Sequence, residues 1–149
     1  MSDPIRVLFV STSNASRSIL AEALLRRIGS DRFIAASAGI EPTDVHPLTR
    51  RVLEGAGFDH DWAVSEPVGD YVGQPFDYVI TVCDDARATC PVFPGADQSL
   101  HWGYGDPASV GGSEAEQLAA FERVFTLLGH RIRQFVMVAG RSEPVPTFS

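Results

Sequence analysis

The amino-acid sequence predicts a doubly wound α/β fold, in which a four-stranded parallel sheet is flanked by helices. Short apolar runs rich in β-branched residues alternate along the chain with segments whose apolar residues recur at helical spacing. At 149 residues the chain is long enough for one domain with a full hydrophobic core. We expect this domain to span residues 1–139 and a loosely held tail with two prolines to span residues 140–149.

The first half of the chain predicts two strands and two helices. The apolar run at residues 6–10 indicates a buried strand, and residues 17–28 have the apolar spacing of a helix. Residues 33–39 indicate a second strand. The second helix starts near Pro47, where a missing N–H costs little, and ends at Gly57. Its predicted buried face consists of Leu48, Val52, Leu53 and Ala56.

The second half predicts two further strands and a long helix. The apolar residues of 58–75 show no clear periodicity, and this segment predicts a loop with one helical turn near 68–72. Residues 77–82 and 99–102 indicate strands, with a short helix at 84–88 between them. Ser113 and Glu116 form a capping box. This box opens an amphipathic helix whose predicted inward residues are Leu118, Phe121, Val124, Phe125, Leu128, Ile132 and Phe135.

Composition excludes several classes of partner. The formal net charge is −7, which argues against binding to nucleic acid or to an acidic membrane surface. All twelve basic residues are arginine. There is no apolar run of transmembrane length and no signal-peptide pattern, so we expect a cytoplasmic protein. An anion bound by this chain is therefore expected to be small and held in a pocket.

A polar stretch between the first strand and the first helix is the candidate binding site. A tight loop between a strand and a helix lets backbone N–H groups and the helix N-terminus converge on an anion. Arg17 adds a planar set of donors suited to a tetrahedral oxyanion. We predict that the oxyanion is held by Ser11, Thr12, Ser13, Asn14, Ala15, Ser16, Arg17 and Ser18.

Three residues with side chains capable of catalysis directly follow predicted strands. Ser11, Cys83 and Asp106 each take this position, and doubly wound sheets bind ligands beyond the carboxyl ends of their strands. We therefore expect the three side chains to face one crevice. Cys83 and Cys90 lack a zinc-site spacing to any histidine, and we expect no metal centre and no other cofactor.

Residues 7–18 resemble the Cys-x5-Arg loop of low-molecular-weight protein tyrosine phosphatases and of the arsenate reductases that share their fold. The nucleophilic cysteine of that family falls on Ser11, and Ser16 is a milder departure. Further family landmarks are Ser37-Ala38-Gly39, Asp106-Pro107, His101-Trp102-Gly103 and the Cys83/Cys90 pair. The cysteine spacing and the His-Trp-Gly segment point to the arsenate reductase branch, which is coupled to thioredoxin or a similar thiol system.

The resemblance implies a cysteine relay. A thiolate at position 11 would attack arsenate while Asp106 protonates the leaving oxygen, Cys83 would then release arsenite, and Cys90 would attack Cys83. The resulting Cys83–Cys90 disulfide would be reduced by thioredoxin or by a low-molecular-weight thiol. Ser11 interrupts the first step, because a hydroxyl is far harder to ionise than a thiol and forms no thiol–arsenic bond. We predict oxyanion binding with little or no turnover.

The sequence is also compatible with two other functions. One is a phosphatase of phosphotyrosine or small phosphomonoesters, although residues 108–111 after the Asp-Pro pair contain no aromatic ring. The other is a non-catalytic protein that binds phosphate or arsenate. Ser11 itself is either an engineered replacement that traps ligand or a natural variant. Asp106 also has a simpler interpretation, as a turn residue.

The resemblance also implies a monovalent cation near Asn14, Glu22 and Ser37. One carboxylate among neutral oxygens is compatible with a weakly held cation. Structural hydrogen bonding to the loop is the favoured interpretation of these three residues.

Overall fold

The computed structural model describes residues 3–82 and 98–139. The strands are β1 (Ile5–Ser11), β2 (Phe33–Gly39), β3 (Tyr78–Thr81) and β4 (Gln98–His101). The helices of the described ranges are α1 (Arg17–Gly29), α2 (Pro47–Gly55) and α3 (Glu114–Ala139). Short 3-10 turns occupy Ser30–Arg32, Val68–Tyr71 and Pro107–Ser109.

The four strands form one parallel sheet in the order β2-β1-β3-β4, which confirms the predicted fold class. β1 lies inside the sheet, pairing with β2 from Ile5 to Ser11 and with β3 from Val7 to Val10. β3 pairs with β4 up to the register Thr81 to His101. The carboxyl ends of all four strands therefore lie at one edge of the sheet. The loop at residues 11–18 follows β1 at that edge.

Both faces of β1 are covered, and this explains its uninterrupted apolar sequence. Val7 and Phe9 belong to the larger core cluster, together with residues of α1 and α3. Leu8 and Val10 point to the other face and pack in a smaller cluster that contains Phe76. Successive residues of a strand point to opposite faces, so a strand buried on both sides needs apolar residues at every position.

The long helix α3 is anchored as the sequence predicts. Its N-terminus carries the capping box, in which the Ser113 hydroxyl oxygen accepts the N–H of Glu116 at 3.2 Å. Glu116 Oε1 in turn accepts the N–H of Ser113 at 3.3 Å. Phe121, Leu128 and Ile132 are fully buried against the rest of the core. The predicted amphipathic face is therefore confirmed.

Several predicted boundaries differ from the observed ones by one or two residues. β3 ends at Thr81 and β4 at His101, because their mutual pairing stops there. α2 ends at Gly55, two residues before the predicted stop, while Gly57 takes a left-handed φ of 78° just beyond it. The helical turn expected near 68–72 is the 3-10 turn Val68–Tyr71.

Two predicted segments, the short helix at 84–88 and the tail at 140–149, lie outside the described residues. Across residues 3–82 and 98–139, no helix combines the length and the apolar character needed to cross a membrane.

Candidate active site

The loop at residues 11–18 joins the end of β1 to α1 and is held from outside through its carbonyl groups. The carbonyl oxygen of Ser11 accepts the N–H of Ile40 at 3.1 Å, and that of Ala15 accepts the N–H of His46 at 3.0 Å. The Thr12 and Ser13 carbonyls are bonded in the same way to the N–H groups of residues 41 and 43. The segment after β2 therefore acts as a frame that fixes the loop.

The turn depends on Asn14, which adopts a left-handed φ of 52°. Gly39 lies directly against this turn, and a Cβ at position 39 would come within 2.9 Å of the backbone of Ser13 and Asn14. Asn14 is the kind of residue that tolerates this conformation. Loop and frame are thus in close backbone contact.

Several N–H donors of the loop remain available. Within the part of the chain that the structure describes, no acceptor contacts the N–H groups of Ser13, Ala15 or Ser16. The same holds for the N–H groups of Arg17 and Ser18, which belong to the unpaired first turn of α1. A helix N-terminus and a group of unpaired donors form an anion-binding arrangement.

Arg17 is the first residue of α1 and is only 6% exposed. Its Nη1 donates to the carbonyl oxygen of Tyr104 at 2.8 Å, and Nη2 lies 3.7 Å from Oδ2 of Asp106. Its Nε is buried and has no hydrogen-bond partner in the described structure. A buried guanidinium with a free donor is suited to receive an oxyanion, because an unmatched buried donor is costly.

Asp106 has two roles in the structure. Its Oδ1 accepts the N–H of Ala108 at 2.9 Å and so caps the turn Pro107–Ser109. Its Oδ2 faces Arg17, and the side chain is 41% exposed. The contact with Ala108 agrees with the simpler interpretation as a turn residue, and the role of Asp106 as an acid stays a prediction.

A network of buried polar side chains links the loop to α1 and β2. The hydroxyl oxygens of Ser11 and Ser18 lie 2.6 Å apart. Asn14 Nδ2 donates to the hydroxyl oxygens of Ser18 at 2.7 Å and of Ser37 at 3.1 Å. Ser37 donates to Oε1 of Glu22 at 2.6 Å. All five side chains are at least 94% buried.

The charge of Glu22 is balanced by an arginine. Arg26, one helical turn along α1, donates to Oε2 of Glu22 through Nε at 3.0 Å and through Nη2 at 2.7 Å. Burial raises the pKa of Glu22 above its ordinary value of 4.5, while the Ser37 hydrogen bond and Arg26 act in the opposite direction. The carboxylate is thus costly to bury and is compensated by its neighbours.

The cation suggested for Asn14, Glu22 and Ser37 does not fit this geometry. Asn14 presents its amide nitrogen to Ser37, because its oxygen accepts the N–H of Glu66 at 2.8 Å. Glu22 is bonded to Ser37 and to Arg26, so an arginine already supplies the positive charge. The favoured interpretation, structural hydrogen bonding, agrees with the contacts.

A cavity of about 630 Å³ adjoins the site beside Asp106. It lies between the turn Pro107–Ser109 and α3, with Val110, Val124 and Leu127 among its apolar lining residues. Glu116 and Arg123 are the charged groups of α3 that border it. The cavity shares Tyr104 and Asp106 with the contacts of Arg17, while none of residues 11–18 lines it.

The structure brings together the predicted residues 11–18, Glu22, Ser37 and Asp106. Cys83 and Cys90 lie outside the described residues, so their expected approach to Ser11 stays a prediction. The sequence analysis missed Arg26, although its spacing of four residues from Glu22 on one helix is a known pairing signal. It also missed the carbonyl of Tyr104 and the N–H of Glu66, which are backbone groups and leave no signal in the residue type.

The chain matches the family model described as low molecular weight phosphotyrosine protein phosphatase over residues 6–143. The chain belongs to this family. Within the family it is similar to arsenate reductases. It is 35% identical to the arsenate reductase of Bacillus licheniformis over 129 residues, which cover 87% of this chain and 93% of that protein.

Solved structures of arsenate reductases share the fold. An arsenate reductase in its oxidised state superposes with a TM-score of 0.76 at 26% identity, covering 89% of this chain and 96% of that one. A thioredoxin-dependent arsenate reductase from Corynebacterium glutamicum superposes with a TM-score of 0.70 at 30% identity. That alignment covers 92% of this chain and 63% of the other. The family similarity thus extends well beyond the loop at residues 11–18.

Proposed function

We propose that this chain binds arsenate or phosphate in the loop at residues 11–18 and is an arsenate reductase-like protein whose nucleophile position is occupied by Ser11. The observation that supports this most strongly is the Arg17 guanidinium, which is buried and whose Nε has no hydrogen-bond partner among residues 3–82 and 98–139. Asp106 lies 3.7 Å from that guanidinium, where an acid could protonate an oxygen of the bound anion.

The proposal gives the described residues the following roles, which their contacts support. The unpaired N–H groups and the start of α1 hold the oxyanion, and Arg17 neutralises charge on its oxygens. Arg17 is itself held in place by the Tyr104 carbonyl. Asp106 is positioned by the N–H of Ala108 and points its second oxygen toward Arg17.

Ser11 stops the reductive chemistry in this proposal. Reduction of arsenate to arsenite takes up two electrons, which the family resemblance assigns to thiols that end as a disulfide. The Ser11 hydroxyl cannot supply a thiol–arsenic bond, and no general base is bonded to it among the described residues, since its side-chain contacts are Ser18 and the N–H of Asn14. We therefore propose that the chain with Ser11 binds its oxyanion without turnover.

The experiment is to restore the nucleophile. The Ser11→Cys variant should produce arsenite from arsenate when a thiol reductant such as thioredoxin with its reductase is supplied, whereas the chain with Ser11 should not. In the Ser11→Cys background, Cys83→Ser and Cys90→Ser should each abolish multiple turnover, because either change leaves no Cys83–Cys90 disulfide. Absence of arsenite from a folded Ser11→Cys variant that binds arsenate would reject the reductase assignment.

A second candidate is supported by the cavity beside Asp106. Its volume of about 630 Å³ and its apolar lining suit the organic group of a phosphomonoester. Under this alternative, the Ser11→Cys variant would hydrolyse an aryl phosphate, and Cys83→Ser would leave the rate unchanged. The two candidates are therefore separated by their dependence on Cys83.

A further inference from the structure

The orientation of the Asn14 side chain is fixed by a backbone group. The N–H of Glu66 can only donate, and it lies 2.8 Å from Asn14 Oδ1. The other end of the amide must therefore be the nitrogen, which has two hydrogens to donate. These go to the hydroxyl oxygens of Ser18 and Ser37.

The Ser18 hydroxyl then has one acceptor for its own hydrogen. Ser18 is fully buried, and its oxygen accepts from Asn14 at 2.7 Å. Its other side-chain contact within the described residues is the Ser11 oxygen at 2.6 Å. If Ser11 donated to Ser18 instead, the Ser18 hydrogen would be buried without a partner, at a cost of roughly 1–3 kcal/mol. Ser18 is thus the donor and Ser11 the acceptor.

The Ser11 oxygen is thereby occupied from two sides. It accepts from Ser18 and also from the N–H of Asn14 at 3.2 Å. A hydroxyl oxygen has two acceptor positions, and both are filled here. The Ser11 side chain can therefore make a further hydrogen bond only by donating its own hydrogen. No acceptor for that hydrogen exists among the side chains and backbone groups of residues 3–82 and 98–139.

We propose that the Ser11 hydroxyl donates a hydrogen bond to the bound tetrahedral oxyanion, so that serine at this position strengthens oxyanion binding. This inference rests on the proposed oxyanion site and names Ser11 as a ligand-binding residue of it. The direction of that bond is set by the N–H of Glu66, which orients Asn14, and by the donation of Asn14 to Ser18 and of Ser18 to Ser11.

A cysteine in the same place would act in the opposite sense. A sulfur atom that receives the Ser18 hydroxyl and the Asn14 N–H at the start of a helix is stabilised as the thiolate. A thiolate has no hydrogen to donate, and its negative charge repels an anion. The serine chain should therefore bind inorganic phosphate more tightly than its cysteine variant, and the difference should grow as pH rises.

The test is isothermal titration of inorganic phosphate into the 149-residue chain and its Ser11→Ala and Ser11→Cys variants, at several pH values and constant ionic strength. We expect Ser11→Ala to weaken binding by about tenfold, the loss typical of one hydrogen bond to a charged group. We expect Ser11→Cys to bind more weakly than Ser11→Ala, with a ratio that increases with pH. The variants are compared with one another at each pH, where the ionisation of free phosphate is the same for all of them.

Two outcomes would overturn the inference: equal affinity of the Ser11 chain and Ser11→Ala, or equal affinity of the Ser11 chain and Ser11→Cys at alkaline pH. The second comparison keeps the test decisive if Ser11→Ala folds poorly, because Ser11→Cys retains a side chain of similar shape. Failure of the proposed function has a different signature, which is the absence of any phosphate binding that depends on Arg17.

Discussion

Nη2 of Arg17 lies 3.7 Å from Oδ2 of Asp106, so the buried cation of the site and its candidate acid are direct neighbours. Arg17 opens α1 and Asp106 precedes the turn Pro107–Ser109. The sheet brings them together because β1 and β4 deliver their following loops to the same edge. In the proposed function, this pair supplies both the charge that attracts an oxyanion and the group that protonates it.

Replacing Asp106 with asparagine should separate these two functions. In the chain with Ser11, Asp106→Asn should strengthen phosphate binding by about two- to fivefold, because a partly exposed carboxylate no longer competes for Arg17. In the Ser11→Cys background the same change should lower turnover by about a hundredfold, since the proton donor is lost. Asparagine keeps an oxygen that can accept the N–H of Ala108, so the melting temperature should change little. Weaker phosphate binding by Asp106→Asn would contradict the assignment.

The contact between Gly39 and the loop predicts a strict requirement for glycine. A Cβ at this position would meet backbone atoms of Ser13 and Asn14 at 2.9 Å. We expect Gly39→Ala to reduce the free energy of unfolding by about 1–3 kcal/mol and to weaken phosphate binding, because the loop must shift. Gly55→Ala is the matched control, since a Cβ there meets nothing within 4 Å. Urea unfolding and phosphate titration of both variants test this, and similar behaviour of the two would refute it.

The buried carboxyl of Glu22 predicts a specific dependence of stability on pH. Burial raises its pKa above 4.5 in the folded state. The stability linked to this group is therefore fully present below pH 4.5 and is lost as pH rises through the folded pKa. Glu22→Gln removes this titration. The melting temperature of Glu22→Gln minus that of the parent chain should increase as pH rises from 4. A difference that does not change with pH would exclude the raised pKa.

The Glu22–Arg26 pair predicts that the chain needs no potassium ion. Arg26 occupies the carboxylate through two nitrogens, at 3.0 Å and 2.7 Å. We expect the same melting temperature in potassium chloride, sodium chloride and choline chloride at equal concentration. Arg26→Ala should reduce the free energy of unfolding by about 1 kcal/mol, because Arg26 is half-exposed and solvent screens the pair. A stabilisation of the parent chain that is specific to potassium would show that a cation binds there after all.

The fold could be predicted because its strongest signals are local. Residues 7–10 must be apolar at every position to be covered on both faces, and the strand, polar loop and helix that open the chain place Arg17 at a helix start. Arg17 and Asp106 could be expected to meet, since both follow strands of one parallel sheet. Strand ends were less certain, because pairing between β3 and β4 decides them.

The supporting network could not be predicted in the same way. Asn14 is oriented by the N–H of Glu66, which belongs to the loop at 58–75 where the sequence has no clear period. Its hydroxyl partners Ser18 and Ser37 lie on α1 and β2, and only the three-dimensional register brings them within reach. The direction of each hydrogen bond depends on which groups are left without an alternative, and residue types alone do not contain that information.

The most direct test of the account is the affinity for inorganic phosphate of the chain with Ser11, compared with that of Arg17→Leu, by isothermal titration. We expect one phosphate per chain and a loss of at least about tenfold on removing the guanidinium, because hydrogen bonds from a buried charged donor are among the strongest. Far-ultraviolet circular dichroism should show that the variant remains folded. Unchanged phosphate affinity in a folded Arg17→Leu chain would contradict the claim that this loop is an oxyanion site.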